Sequence, residues 1–177
     1  MSFPFSLDDL LAYSDWDRAQ WRAWFRQQGP GALAVSLGPH TDDRFATVGE
    51  LVRHIFSAET RYVERVRKAP LTDTSVIPAG DVEVLFEFGQ ASRRALRELL
   101  LTFPDTAWGD SREMQVGKNI ITVTARAMII QTVTHELRHW AQIATLLRLA
   151  GYGSGMHDYL VSPLSSPPPA ASGVHSG

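Results

Sequence analysis

Thr134-His135-Glu136-Leu137-Arg138-His139-Trp140-Ala141-Gln142-Ile143 is the stretch on which the fold of this chain turns. It sits in a segment, residues 123–150, whose apolar row Met128, Thr132, His135, His139, Ile143, Leu146 and Ala150 keeps a helical period and ends at Gly151, a good terminator. Two histidines four apart lie on one helix face, one turn above the other, an arrangement that suits a single divalent cation. What supplies the third ligand has two answers. His-Glu-x-x-His is also the zinc-protease signature, but no glutamate follows Glu136, and Ala141 and Gln142 stand where the extended pattern needs x-Gly. An aspartate version using Asp158 survives on spacing alone. The other answer is His54, on the shoulder of the row Leu51, Ile55, Ala58, Tyr62 and Val66, where it would face a bundle interior.

Composition narrows the chemistry. The chain has 177 residues, 44% hydrophobic and 20% charged, enough for one globular domain. A net charge of −2 with interspersed signs recommends neither nucleic acid nor a membrane surface as partner. With no cysteine, disulfides and thiolate ligands are excluded, so any metal must be held by His and carboxylate. The N-terminus has no basic region followed by an apolar core and no apolar run reaches a membrane span, so a cytoplasmic protein is expected.

In order, the chain reads as four helices. Ser6 caps the first, with Asp8 and Asp9 in its opening turn, and Gly29-Pro30-Gly31 stops it. Ser14 and Asp17 interrupt its apolar stripe, as a partly solvated turn or an approach to a site. Residues 29–46 read as an irregular connection holding His40, a loop histidine expected to be solvent-exposed. Thr47 and Glu50 have capping-box spacing and open the second helix, which ends before Pro70. A linker of eleven residues from Pro70 reaches at most about 36–40 Å, just enough to return along a helix roughly 33 Å long. Asp81 caps the third helix, with the stripe Leu85, Phe88, Ser92, Leu96, Leu99 and Phe103 inward and Arg93, Arg94, Arg97 and Glu98 outward, and Pro104 closes it. Met114-Gln115-Val116 and Ile120-Ile121-Thr122 suggest a small hairpin before the last helix. Residues 161–177 are rich in Ser, Pro and Gly and are expected to form a disordered tail, His175 included, after a domain of residues 1–160. Tyr13, Trp16 and Phe56 fall off the main rows and are expected at a homodimer interface.

This all-α pattern, with His54 early in the second helix and His135, His139, Gln142 and Ile143 in the fourth, resembles the DinB/YfiT-like superfamily of metalloenzymes. The ending Gly151-Tyr152-Gly153 to Asp158-Tyr159-Leu160 resembles its members too. The resemblance implies a four-helix bundle of up-down-down-up topology, frequent dimers, and a divalent metal on His54, His135 and His139. It implies no action on DNA. Some relatives are transferases that use a low-molecular-weight thiol such as bacillithiol, mycothiol or glutathione, or isomerases dependent on one. Three neutral imidazoles leave a cation an open position, as catalytic sites do, and suit zinc, nickel or iron. Metal-assisted hydrolysis and a non-catalytic metal or dimerisation role are the alternatives. Glu136, about 100° round the helix from His135, could orient a ligand, act as a base or sit at the surface. Gln142, a turn past His139, could hydrogen-bond beside the metal or pack between helices.

Overall fold

The computed structural model describes residues 6–38, 45–153 and 155–166. His40, His175 and the tail from 167 onward lie outside them. Among the described residues the fold is mostly helical, with one two-stranded sheet: α1 (Leu7–Gln28), α2 (Pro30–Leu33), α3 (Val48–Arg67), α4 (Val82–Thr102), β1 (Ser111–Val116), β2 (Asn119–Thr124) and α5 (Ala125–Leu149).

Each long helix starts on a side-chain cap. The Ser6 hydroxyl accepts from Asp9 N–H while the Asp9 carboxylate accepts from Ser6 N–H, a closed capping box. Thr47 accepts from Glu50 N–H, but the Glu50 carboxylate reaches back one residue further than the capping box requires, to Ala46 N–H. Asp81 accepts from Glu83 and Val84, and Thr124 from Ala127. At the end of α5, Gly151 takes φ +88°, and Gly151 N–H and Tyr152 N–H return to the carbonyls of Arg148 and Leu147 in a Schellman motif. The connection read as irregular contains the single turn α2, which buries Ala32 and Leu33, because the Pro30 ring presets a helical φ.

The pairs of residues in contact give the packing. From α3 to α4, Phe56 meets Phe86, Glu59 meets Ser92 and Arg67 meets Glu98, so position rises together along both helices. From α3 to α5 the order reverses: His54 meets His139, and Tyr62 meets His135. The linker returns along α3. Thr72 donates to Glu64, Arg61 to Thr74, and Arg53 to the carbonyls of Ser75 and Ile77. It closes at Gly49, where an added Cβ would lie 2.0 Å from the Ala79 carbonyl oxygen. Gly49→Ala must therefore push the linker off the start of α3. We expect it to cost about 2–3 kcal/mol, as overpacking does, measured as a drop in the chemical-denaturation midpoint; a stability equal to the parent would show that the linker gives way freely.

The core comes in two apolar clusters. One gathers Trp21, Phe25, Val52, Ile55, Phe56, Phe86, Trp140, Ile143 and Leu147; the other Leu11, Val63, Val66, Leu96, Leu99, Met128, Ile129 and Val133. Between them every long helix buries polar residues: Ser14, Asp17 and Arg18 on α1, Glu59 on α3, Ser92 and Arg93 on α4, and His135, Glu136 and His139 on α5. Two expectations are corrected here. Arg93, placed outward, is buried, because its guanidinium pairs with Glu59 and Glu136. Phe56 is no interface residue: it is fully buried against Phe86, Phe88 and Trp140, with the Arg18 guanidinium over its ring. Tyr13 is half-buried, tilted against Tyr159, and donates to the His157 carbonyl.

The hairpin pairs Val116 with Asn119 across the two-residue turn Gly117-Lys118, one residue tighter than the sequence spacing implied. Positive φ at Gly117 alone gives the II′ turn that such hairpins favour. After α5 the chain makes two 3-10 turns, Tyr159–Val161 and Pro163–Ser165, with Ser162 buried between them. The expected domain end at 160 falls inside this pair of turns. No helix among the described residues is long and apolar enough to cross a membrane.

Candidate metal centre

His54 projects from the second turn of α3, and His135 and His139 from one face of α5, so the antiparallel packing of the two helices brings all three rings to one point. The Nε2 atoms of His54 and His135 are 3.1 Å apart, and those of His135 and His139 are 3.0 Å apart. All three ligand nitrogens lie within 4.8 Å of one another. Tetrahedral coordination at about 2.0–2.1 Å separates two imidazole nitrogens by roughly 3.4 Å, so small ring rotations fit these residues to a cation. The donor set fits too: three nitrogens, no thiolate, no carboxylate. This is a group that could hold a divalent metal.

The side chain of Gln142, exposed on the following turn, meets one ring. Its Oε1 lies 2.5 Å from His139 Nδ1; with Nδ1–H donating to it, Nε2 keeps its lone pair for the shared point. Ligand histidines commonly use their second nitrogen so. His135 and His139 are buried and His54 is half-buried beside Phe45.

Glu136 is not in the histidine group. Its carboxylate accepts from Arg18 Nε at 2.6 Å, Arg18 Nη2 at 2.8 Å, Arg93 Nη2 at 2.9 Å and Trp140 Nε1 at 3.2 Å. Burial would raise its pKa, but the Arg18 charge and hydrogen bonds, followed by the Arg93 charge, hold it down at about 2. A general base works best with a pKa near the working pH, so the expected base and ligand-orienting roles do not match where this carboxylate sits. Arg18 is pulled up in turn: burial disfavours its charge, but Glu136 and Glu59 outweigh that. Its five N–H groups meet Glu136 twice, Glu59 twice and the Gly89 carbonyl. Asp158, the alternative ligand, is exposed at the start of a 3-10 turn and outside the histidine group.

Three residues of the waist have no helical signature that would mark them. Arg18, Glu59 and Arg93 look like ordinary charged positions, and only the polar break at Ser14 and Asp17 hinted that this level of the bundle is wet in character. His157, also missed, lies in a loop. Its Nδ1 is 2.6 Å from Asp17 Oδ1 and its ring stacks on Trp21 with centroids 4.1 Å apart. That contact straps the chain after α5 onto α1. Asp17 is pushed up by burial, against the hydrogen bond and charge of His157.

A cleft of about 550 Å³ opens over the histidines. Its walls are Ala58, Arg61, Tyr62 and Arg65 of α3, Met128, Gln131 and Arg138 of α5, and the hairpin from Met114 to Val123. The hairpin thus serves as a side wall of the cleft.

A helical fold with three histidines from two facing helices over an open cleft defines a bundle with a candidate metal site. The sequence profile of the DinB family matches residues 1–169, and the chain belongs to that family. Comparison with curated proteins gives no match.

Proposed function

We propose that the protein is a metal-dependent enzyme that transfers a low-molecular-weight thiol to a small electrophile, built on the up-down-down-up bundle of its family. The paired contacts from α3 to α4 and from α3 to α5 support that topology. The observation that carries the functional reading is the set of three imidazole nitrogens facing an open cleft with, among the described residues, no carboxylate beside them. His54, His135 and His139 would hold the cation, zinc, nickel or iron, and Gln142 would fix the His139 ring. Such a cation keeps its full charge on three neutral ligands and would favour the thiolate form of an incoming thiol. The chain holds no cysteine, so the sulfur must come from outside, and the cleft is large enough for a small cosubstrate.

Hydrolysis is the second reading, and the placement of Glu136 weighs against its peptidase form. That mechanism needs the glutamate as base at the metal, whereas here it is committed to Arg18 and Arg93. The test is conjugation of bacillithiol, mycothiol or glutathione to model electrophiles by the zinc-, nickel- or iron-loaded protein. We expect a metal-dependent rate with at least one thiol, lost by about 100-fold or more in His139→Ala, since removal of even a supporting group costs 10–100-fold. No metal-dependent rate with any thiol would sink the transferase reading.

A further inference from the structure

The charge of the cleft specifies its occupant further. Three arginines line it, Arg61 and Arg65 from α3 and Arg138 from α5, and among the described residues no Asp or Glu does. Among the described residues none of the three makes an ion pair; Arg61 donates to the Thr74 hydroxyl, while the other guanidiniums face the cleft without a carboxylate. In the groove between α1 and α4 most lining arginines meet a carboxylate, Arg22 and Arg26 sharing Glu83 and Arg93 and Arg97 sharing Asp15, while Arg94 makes no ion pair among the described residues. The cleft over the histidines is set apart by having arginines and no acidic residue on its described walls.

We propose that the cleft binds an anionic small molecule, with its reacting atom at the three histidines and a carboxylate or phosphate held by Arg65 and Arg138. The inference rests on the metal-site reading above. Spacing supports the geometry. Arg61 and Arg65 follow His54 by seven and eleven residues on the same face of α3, about two and three turns away. Tyr62 lies between them, with its ring 6.5 Å from that of His135. Arg65 of α3 and Arg138 of α5 line the cleft together with Tyr62 and Gln131, so guanidiniums from both helices border it. The result is a cationic, hydrogen-bonding end to a cleft whose other end is the histidine group, while Met114, Val116, Ile121 and Met128 line it with apolar surface. Guanidinium groups suit carboxylate and phosphate because their forked donors match both oxygens.

The test uses cobalt-loaded protein. Its visible spectrum reports thiol arrival at the metal, and 2-mercaptosuccinate, 2-mercaptoethanol and cysteamine offer the same sulfur with negative, neutral and positive carriers. We expect mercaptosuccinate to bind about 10-fold or more tightly than mercaptoethanol, and cysteamine most weakly, as one added charge-assisted contact predicts. Arg65→Gln/Arg138→Gln should shrink that preference to about threefold or less, while cobalt occupancy stays at the parent value; Arg65→Lys/Arg138→Lys, which keeps the charge, should retain part of it. Equal affinity for the three thiols, or a preference unchanged in the glutamine pair, overturns the proposal. Calorimetry with succinate and with inorganic phosphate supplies an arm that needs no thiol. Succinate binding that weakens in the glutamine pair supports a carboxylate occupant, and phosphate binding that does so a phosphorylated one. If no thiol alters the cobalt spectrum but either anion binds through the arginines, the thiol reading fails and the anion site stands. If neither anion binds, the anion site fails.

Discussion

Glu136→Ala is expected to lower the thermal unfolding midpoint by about 10 °C, the equivalent of about 3–5 kcal/mol for removing one partner of a buried ion pair in a domain of this size. The variant leaves Arg18 and Arg93, both buried, with their contacts to Glu136 gone and Glu59 as the one buried carboxylate still paired with both, Asp15 adding a half-exposed contact to Arg93. Glu98→Ala is the control: it breaks the pair with Arg67, where the glutamate side chain is 67% exposed, and should change stability by under about 0.5 kcal/mol. Acid gives a second readout. The folded pKa of Glu136 is depressed to about 2 from an ordinary value of 4.5. Its contribution is therefore complete above the unfolded value and is lost as pH falls through the folded one. The stability gap between parent and Glu136→Ala should be constant from pH 7 to about 5 and should narrow from there towards pH 2. A gap that does not narrow, or a variant as stable as its parent, would show that the network is worth little.

The same network explains why the bundle can hold a polar layer between two apolar clusters. Two arginines and two glutamates balance in charge. The Arg18 fork is fully used, and Ser14, Ser92 and Trp140 take further lone pairs and donors. Arg93 is less fully used, its buried Nη1 having no hydrogen-bond partner. The layer fixes the rotation of α5 about its own axis, because Glu136 on one side and His135 on the other cannot both keep their partners if the helix turns. The histidine group therefore depends on an ion-pair network that its own side chains do not join.

The reading of the sequence was strongest where one helix carries its own signal. The caps at Ser6, Thr47 and Asp81, the stop at Gly29 and the hairpin are local chemistry, written within a few residues. His135 and His139 lie on the apolar row of α5, so their inward direction followed from the period. What could not be read was contact across helices. Arg93 has the composition of a surface residue and is buried because Glu59 and Glu136 stand opposite. Phe56 lies off the main apolar row of α3 and still reaches the core, because Gly89 on α4 leaves room for its ring, a Cβ there coming within 2.8 Å of it. Glu136 lies at the edge of a stripe whose buried arc is wider than the row suggested, since Ile129, Val133, Trp140 and Leu147 are also buried. The His157 strap depends on a loop, where no periodicity operates.

The proposed centre makes a sharp demand on His54. The protein should bind about one divalent ion per chain, and His54→Ala should lower occupancy as far as His135→Ala or His139→Ala does. Loss of a group that merely supports a ligand weakens binding 10–100-fold, so loss of a ligand should reach about 100-fold or beyond. The argument lies in the helix of origin. His135 and His139 share one face of α5 and would form a two-nitrogen site on their own, whereas His54 comes from α3 and makes the site span the bundle. A metal held across two helices also ties them together. At a concentration about 100 times its Kd it should add roughly 2.7 kcal/mol to stability, and that metal-dependent rise in the unfolding midpoint should vanish in His54→Ala. His54 is half-buried, so the metal-free variant should unfold close to its metal-free parent, which separates a lost ligand from a damaged fold. Asp158→Ala should keep both the metal and the rise. Full occupancy in His54→Ala together with loss in Asp158→Ala would return the centre to a His-Glu-x-x-His peptidase arrangement and remove the reason for placing thiol chemistry there.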